Sequence, residues 1–383
     1  MWVSEDIMRS VLSLVFLSIL FAATCSLSQP ASPNHPALRV GIVGLVHGHV
    51  HGFLEQSLHS PEIEIVGIAE PDKQVATQNA ARYGFAQTLM YSDLEEMLQK
   101  AHPQAVLVYT NTYDHRRVVE ICARHGVHVM MEKPLAVSFE DAQAIEKAAR
   151  EGKVQVLVNY ETSWYPSNWA THDLVHQKAI GDIRKVVIHD GHYGPKEIGV
   201  EPEFLSWLTD PKLDGGGALF DFGCYGADLM TWLMDGQRPQ TVTAVTQQIK
   251  PDIYPRVDDE ATIVLTYPKA QAILQASWNW PFDRKDMEVY GQTGYVITKR
   301  RDNIRVRRAA SGKEDESREE QITAKPLAPP HDNSLSYLRA VLLDGAKPDG
   351  LSSLDTNITV VEILDAARRS AASGQTIRLP ASR

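Results

Sequence analysis

The chain has 383 residues, of which 43% are hydrophobic and 22% charged, with a formal net charge of −10. That length exceeds one ordinary core and suits two domains plus an export segment. The acidic balance points away from nucleic acid and toward small neutral or polar ligands.

At the amino terminus, Val11 to Thr24 is almost unbroken apolar sequence, preceded by Arg9 and followed by a Ser/Pro/Asn-rich stretch to Pro36. This is the layout of a signal peptide, with Met8 as an alternative start because Glu5 and Asp6 spoil the basic segment. The apolar run is short for a bilayer, so no membrane span is expected after processing. Without a twin arginine the expected route is Sec-type, giving a periplasmic or secreted protein. Cys25 is a weak candidate for a lipid anchor, since a threonine precedes it. Cys122 and Cys224 sit in apolar patterns and read as buried free thiols.

From Leu38 onward, strand and helix alternate. Leu38–Leu45, Ile63–Ala69, Ala105–Tyr109, Val127–Met131 and Val154–Asn159 read as strands. Between them lie helices at Phe53–Leu58, Lys73–Tyr83, from Asp93 (an N-cap with Glu96 at the capping-box position), Asp114–Gly126 and Ser138–Glu151. Short connections throughout require a parallel sheet with helices on both faces, a Rossmann-type domain over residues 37–159 after a leader and linker at 1–36. Beyond Tyr160 the rhythm changes. A helix at Pro166–Lys178 and a strand at Ile183–Asp190 precede a loop-rich stretch, and a glycine turn at Gly215–Gly217 runs into one helix reaching Met234. Strands follow at Thr241–Gln248, Ala261–Tyr267, Ala272–Asn279, Met287–Tyr290 and Tyr295–Thr298, with closing helices at Ser334–Leu343 and Asp355–Ala372. Residues 160–383 are thus expected to form an α+β domain: an open, largely antiparallel sheet with helices on one face.

Chemistry concentrates at three places. Lys133, in Glu132-Lys133-Pro134, ends a buried parallel strand, where ligands of open α/β sheets bind. A lone lysine there carries little packing, so its removal is expected to spare the fold. The first strand-to-helix turn, Gly44-Leu-Val46-His47-Gly48-His49, occupies the position that holds a pyrophosphate, although Val46 and His49 stand where the dinucleotide fingerprint has glycines. Glu70 ends the second strand, where an acid binds the adenosine ribose and repels a 2′-phosphate; NAD is therefore expected over NADP. On the expected helix, Asp221 and Tyr225 share a face, with Asp228 one turn on, and Lys133 is expected to depress the Tyr225 pKa. Trp164, His192, Trp207 and Trp278 are candidates for a substrate-facing wall, though the sequence alone favours a core position for each. A rival reading places His47, His49 and His51 on one face of a strand as metal ligands of a hydrolase. Strand–helix alternation stops too early for the barrel such an enzyme needs, so no metal is assigned.

In order along the chain, Tyr109-Thr-Asn-Thr-Tyr-Asp-His115, Glu132-Lys133-Pro134-Leu135, Gly215-Gly-Gly-Ala-Leu-Phe-Asp221 with Tyr225 and Asp228, Val289-Tyr-Gly-Gln-Thr-Gly294 and Ala366–Gly374 resemble the Gfo/Idh/MocA oxidoreductases over Leu38 to Pro380. The resemblance implies a nicotinamide cofactor held by the first turn (Gly44, Val46, His47), Glu70, Thr110, Asn111, Glu132 and Lys133. It implies a sugar, inositol or related polyol as substrate, with Tyr160, Trp164 and His192 near it and no nucleic-acid partner. It also implies an oligomer made through the open sheet. Lys133 would hold the reacting hydroxyl and Asp221 would orient the substrate. Tyr225 would move the proton, in the place where the family more often has histidine. Within the same resemblance, a glycosidase with tightly held NAD is one alternative; a binding protein that kept the fold is another.

Overall fold

A computed structural model describes residues 36–309, 317–348 and 350–380. The segment read as an export signal, with Cys25, lies outside them. Six short apolar strands build the first sheet: β1 (Leu38–Val43), β2 (Ile63–Ala69), β3 (Met90–Tyr91), β4 (Ala105–Val108), β5 (His128–Glu132) and β6 (Val156–Asn159). All neighbours pair in parallel, in the order β3-β2-β1-β4-β5-β6. Every residue of β4 is buried, as a strand covered on both faces must be. The order reverses between β1 and β4, so the crevice beyond their carboxyl ends is where a ligand of this fold belongs.

The crossover helices are α1 (His49–Ser57), α2 (Lys73–Tyr83), α3 (Leu94–Ala101), α4 (His115–Arg124) and α5 (Phe139–Gly152). Asp93 caps α3 by accepting from the Glu96 amide at 2.9 Å, whereas the Glu96 side chain takes Lys100 as its partner and leaves the capping box half-formed. β1 stops at Val43 and α1 starts at His49, so His47, Gly48 and His49 form a turn into a helix. The strand that the rival metal reading requires for His47, His49 and His51 is therefore not formed.

The second part contains α6 (Pro166–His176), β7 (Ile183–Gly191), α7 (Pro202–Leu208), α8 (Ala218–Asp221), α9 (Gly223–Leu233), β8 (Thr241–Gln247), β9 (Glu260–Thr266), β10 (Gln271–Ser277), β11 (Arg284–Gly291), β12 (Gly294–Lys299), β13 (Asn303–Arg308), β14 (Glu320–Thr323), α10 (Ser334–Leu343), α11 (Leu354–Ser373) and β15 (Ile377–Arg378). Its nine strands form one open sheet, β14-β13-β12-β11-β7-β10-β9-β8-β15. Only β7 and β10 pair in parallel among these; the rest of the sheet is antiparallel, as its alternating burial requires. The expected single helix to Met234 is two helices, because the chain breaks at Phe222. α7 lies inside the stretch expected to be loop. α11 packs on α9 and β8 and also reaches α5 and β6. Tyr337, Leu338 and Val341 of α10 share a core with Leu38, Val40 and Ile42 of β1.

One buried histidine fixes the corner after β5. His115, 1% exposed, donates from Nδ1 to the carbonyl oxygens of Pro134 (3.1 Å) and Leu135 (3.3 Å). Burial lowers its pKa to about 4, because a charged imidazole there would be stripped of water. The neutral ring is therefore favoured by folding, and that contribution is complete above the unfolded pKa near ~6.5. It is lost as pH falls toward about 4, and amounts to roughly 3 kcal/mol. Urea unfolding at pH 7 and pH 4.5 should show that His115→Gln loses less stability on acidification than the wild type; equal losses would place the acid sensitivity elsewhere.

Candidate active site

β5 delivers Lys133 to the point where the two sheets meet. The side chain is 6% exposed and donates to the Asp221 carbonyl oxygen at 3.1 Å and, in a short contact, to Asp221 Oδ1. Trp278 Nε1 donates to the other carboxylate oxygen at 2.9 Å. Burial alone would neutralise both partners; their mutual attraction wins, holding Asp221 below the ordinary carboxylate range and Lys133 above the ordinary amine range. A lysine ammonium has three N–H donors, and Asp221 takes two. The third remains for a ligand in the adjoining cleft of about 300 Å³, which both residues line. The expectation that Lys133 carries little structure is corrected: removing it would leave a buried carboxylate unpaired.

Tyr225 also lines the cleft. Lys133 Nζ lies over its ring face, 5.2 Å from the centroid. Its pKa is raised well above the phenol's ordinary value, first by burial, then by the carboxylates and Cys224 around it. The expected depression by Lys133 is therefore reversed, because burial of the phenol dominates. A second lysine, which the sequence reading missed, stands on the other side of the site. Lys285 Nζ is 5.1 Å from the Tyr225 ring centroid and pairs with Glu161. Glu161 also accepts from Tyr165 Oη at 2.7 Å and pairs with Arg301, so these cations hold its carboxyl at about 2 despite burial. His192 lines the same cleft, with Nδ1 accepting from the Gly194 amide at 2.9 Å, so Nε2 carries the proton.

The first turn is built by close approach. Gly44 has φ +79°, and a Cβ there would meet the Thr110 backbone at 2.9 Å. Glu70, 3% exposed, accepts the Leu45 amide and the Asp72 amide, each at 2.8 Å. It is a buried clamp on the turn, where an open strand-end carboxylate was expected. His47 is buried too: its Nδ1 accepts from the His49 amide at 3.2 Å, and its ring packs on Phe204 and Trp207 of α7. Trp207 Nε1 donates to the Val46 carbonyl at 3.1 Å, which ties the turn to the second part of the chain. Glu132 accepts from Asn159 at 2.9 Å and bonds His49 Nδ1 at 2.9 Å. Asn111 is spent on Asp114, and Thr110 Oγ1 donates to the Asn111 carbonyl. Among the described residues, the amides of Val46 and Gly48 have no acceptor, and they stand at the amino end of α1.

Other expected positions are corrected. Tyr160 is fully buried behind Tyr225, ring edge to face at 5.4 Å, so it is not a wall of the cleft. Trp164 donates to Asn159 at 3.0 Å and packs on Tyr337, whereas Trp207 and Trp278 are core, the position the sequence favoured for them. Asp228 is fully buried with neither carboxylate oxygen bonded, and burial pushes its pKa well above the ordinary carboxylate value; it is not among the residues lining the cleft. His51 turns to Tyr83 and Glu201, away from His47 and His49, so the three-histidine metal set is not assembled. Cys122 and Cys224 are free and buried.

Residues 38–160 match the model of an oxidoreductase family with an NAD-binding Rossmann fold, and residues 169–297 match the GFO/IDH/MocA C-terminal domain. The trans-1,2-dihydrobenzene-1,2-diol dehydrogenase of Xenopus tropicalis is 27% identical over 319 residues, covering 81% of this chain and 91% of that protein. The human protein of the same name is 26% identical and covers 61% of this chain, 65% of its own length. In fold, the chain is similar to the aldose-aldose oxidoreductase of Caulobacter crescentus (TM-score 0.74, 22% identity, 90% of this chain and 100% of that one). An inositol dehydrogenase homologue of Azotobacter vinelandii is equally alike (TM-score 0.75, 17% identity, 90% and 98%).

Breaking a buried pair by removing one partner costs about 3–5 kcal/mol, because the survivor keeps its desolvation penalty. Lys133→Met should therefore lower unfolding stability by that order, and Lys133→Met with Asp221→Leu should recover most of it. Chemical denaturation of the three chains measures this. A single variant as stable as wild type would show that the pair is not buried as described.

Proposed function

The chain belongs to the Gfo/Idh/MocA oxidoreductase family, and from that premise we propose that it transfers hydride between a nicotinamide cofactor and a hydroxyl-bearing carbon of a sugar or related polyol in the Lys133–Asp221–Tyr225 cleft. The observation that carries this reading is the charged Lys133, fixed by Asp221 with one N–H left over, beside a protonated phenol at the end of β5. The residues of the first turn fit the cofactor: two unspent amides at a helix amino terminus suit a diphosphate, and Gly44 allows close approach. When bound, the nicotinamide supplies the hydride chemistry.

The rest is the work of this chain's own groups. Lys133 donates to the substrate oxygen and stabilises negative charge that develops there. Asp221 fixes the ammonium through two acceptors, so the lysine does not swing. Tyr225, kept protonated by burial, serves as the acid that delivers a proton to that oxygen, which suits reduction of a carbonyl. Glu70 and the exposed Asp72 beside it make the end of β2 negative. We also propose an exported location, from the segment at 11–24, and a homo-oligomer made through the open sheet. No helix of the described residues is long and apolar enough to cross a membrane.

Two results test the reading. With NAD and NADP titrated directly, NAD should bind tighter by about fivefold or more, since a 2′-phosphate meets like charge worth ~1 kcal/mol even when well screened; tighter NADP binding would remove Glu70 from this role. For kcat/KM against pH with a sugar or diol panel, wild type should lack a limb from Tyr225 below about pH 10. Tyr225→Phe should fall by about 10²–10⁴-fold, and Tyr225→His should regain part of that loss with a new limb near ~6.5. A phenylalanine variant as active as wild type would assign the proton to another group. Nicotinamide absent from the purified protein, with no uptake on addition, would favour a binding protein that kept the fold.

A further inference from the structure

Away from the cleft, the carboxyl end of α6 and the carboxyl end of α9 bring together two histidines and an aspartate. His172 and His176 are four residues apart and therefore on one face of α6. Their ring centroids are 4.0 Å apart. Asp235 follows α9 in the left-handed region, φ 53°, and its Oδ1 lies 3.1 Å from His176 Nε2. One ligand atom from each of the three falls within 4.8 Å of the others.

We propose that His172, His176 and Asp235 bind one borderline divalent cation, with Zn²⁺ as the expected occupant. The donor set of two imidazoles and one carboxylate matches that class, and hard cations such as Ca²⁺ would find too few oxygens. Zinc bonds of about 2.0–2.2 Å in a tetrahedron place donor atoms roughly 3.3 Å apart. His176 and Asp235 already stand at that spacing, so only His172 has to close in. Its ring is pre-oriented: it stacks on Trp232 at 3.9 Å and 8°, which holds the imidazole plane while leaving its edge accessible. Among the described residues His172 makes no hydrogen bond, so its ring nitrogens give up none on closing in.

The other histidine cluster lacks that freedom. At His47, His49 and Glu132, His47 Nδ1 already accepts an amide and Glu132 already accepts from Asn159. At α6 and α9 the third position of a three-ligand site is protein and the fourth is solvent, since His176 and Asp235 are exposed. An ion there clips α6 to the helix that carries Tyr225 at its other end, so its first effect is on stability.

The test is a calorimetric titration of the full chain, stripped with a chelator, with Zn²⁺, alongside thermal unfolding. The expected result is one Zn²⁺ per chain and a higher Tm with the ion. His172→Phe (which keeps the stack on Trp232), His176→Gln and Asp235→Asn should each weaken binding by tenfold or more while melting like the metal-free wild type. The proposal is overturned by no saturable uptake, by uptake that survives all three changes, or by uptake lost in His49→Gln and retained in His172→Phe.

Discussion

The structure depends on one buried ion pair. Lys133 comes from the last residues of a parallel strand and Asp221 from a short helix in the other half of the chain, yet they share protons far from water. Desolvation makes each charge expensive alone, so the two parts of the chain are committed to one arrangement. The same constraint serves chemistry. A lysine with two of its three donors fixed has its third aimed, and an aimed donor at the place where charge develops is worth more than a mobile one. Around the pair the protein builds supports. His115 holds the Pro134 and Leu135 carbonyls, Trp278 holds the far oxygen of Asp221, and Asn159 with His49 holds Glu132.

The first turn resolves a conflict between sequence and fold in the same economical way. Where the dinucleotide fingerprint has glycines, this chain has Val46 and His49, with His47 between them. The structure turns His47 inward onto Phe204 and Trp207, and Trp207 in turn donates its indole N–H to the Val46 carbonyl. The bulk is thus packed against α7, and the amides of Val46 and Gly48 stay open at the start of α1. Glu70 braces the turn from below through the Leu45 amide. A turn poor in glycine can keep its function if a neighbouring helix takes up the side chains.

Much of this was legible in the sequence. Alternation of apolar runs and capped helices specified the parallel sheet, because period and turn chemistry are local properties. Glu132-Lys133-Pro134 marked the site for the same reason. What stayed hidden depends on distance in the chain. The partner of Lys133 lies 88 residues away, so no spacing rule could show that its charge is neutralised, nor that burial moves the Tyr225 pKa up. Tyr160 and Trp164 looked like a wall because aromatic residues after a strand suit one; burial of Tyr160 behind Tyr225 and the packing of Trp164 on Tyr337 are tertiary facts. Other features had a signal that went unread. Pro202 followed by Phe204, Leu205, Trp207 and Leu208 has a helix start and an apolar face, and Ile304 and Val306 alternate with arginines in β13. Lys285 sits in β11, whose exposed amino end hid it from a search for apolar runs.

The account turns on hydride passing through a site organised by Lys133. The most direct measurement follows deuterium from [4-²H]nicotinamide cofactor into a panel of carbonyl sugars and diketones by mass spectrometry. The wild type and the chain carrying both Lys133→Met and Asp221→Leu are compared, the latter being the variant expected to stay folded. The account predicts deuterium on a substrate carbon with the wild type and none with the double variant. Transfer that persists without Lys133 and Asp221, or none from the cofactor-loaded wild type to any member of the panel, would contradict it.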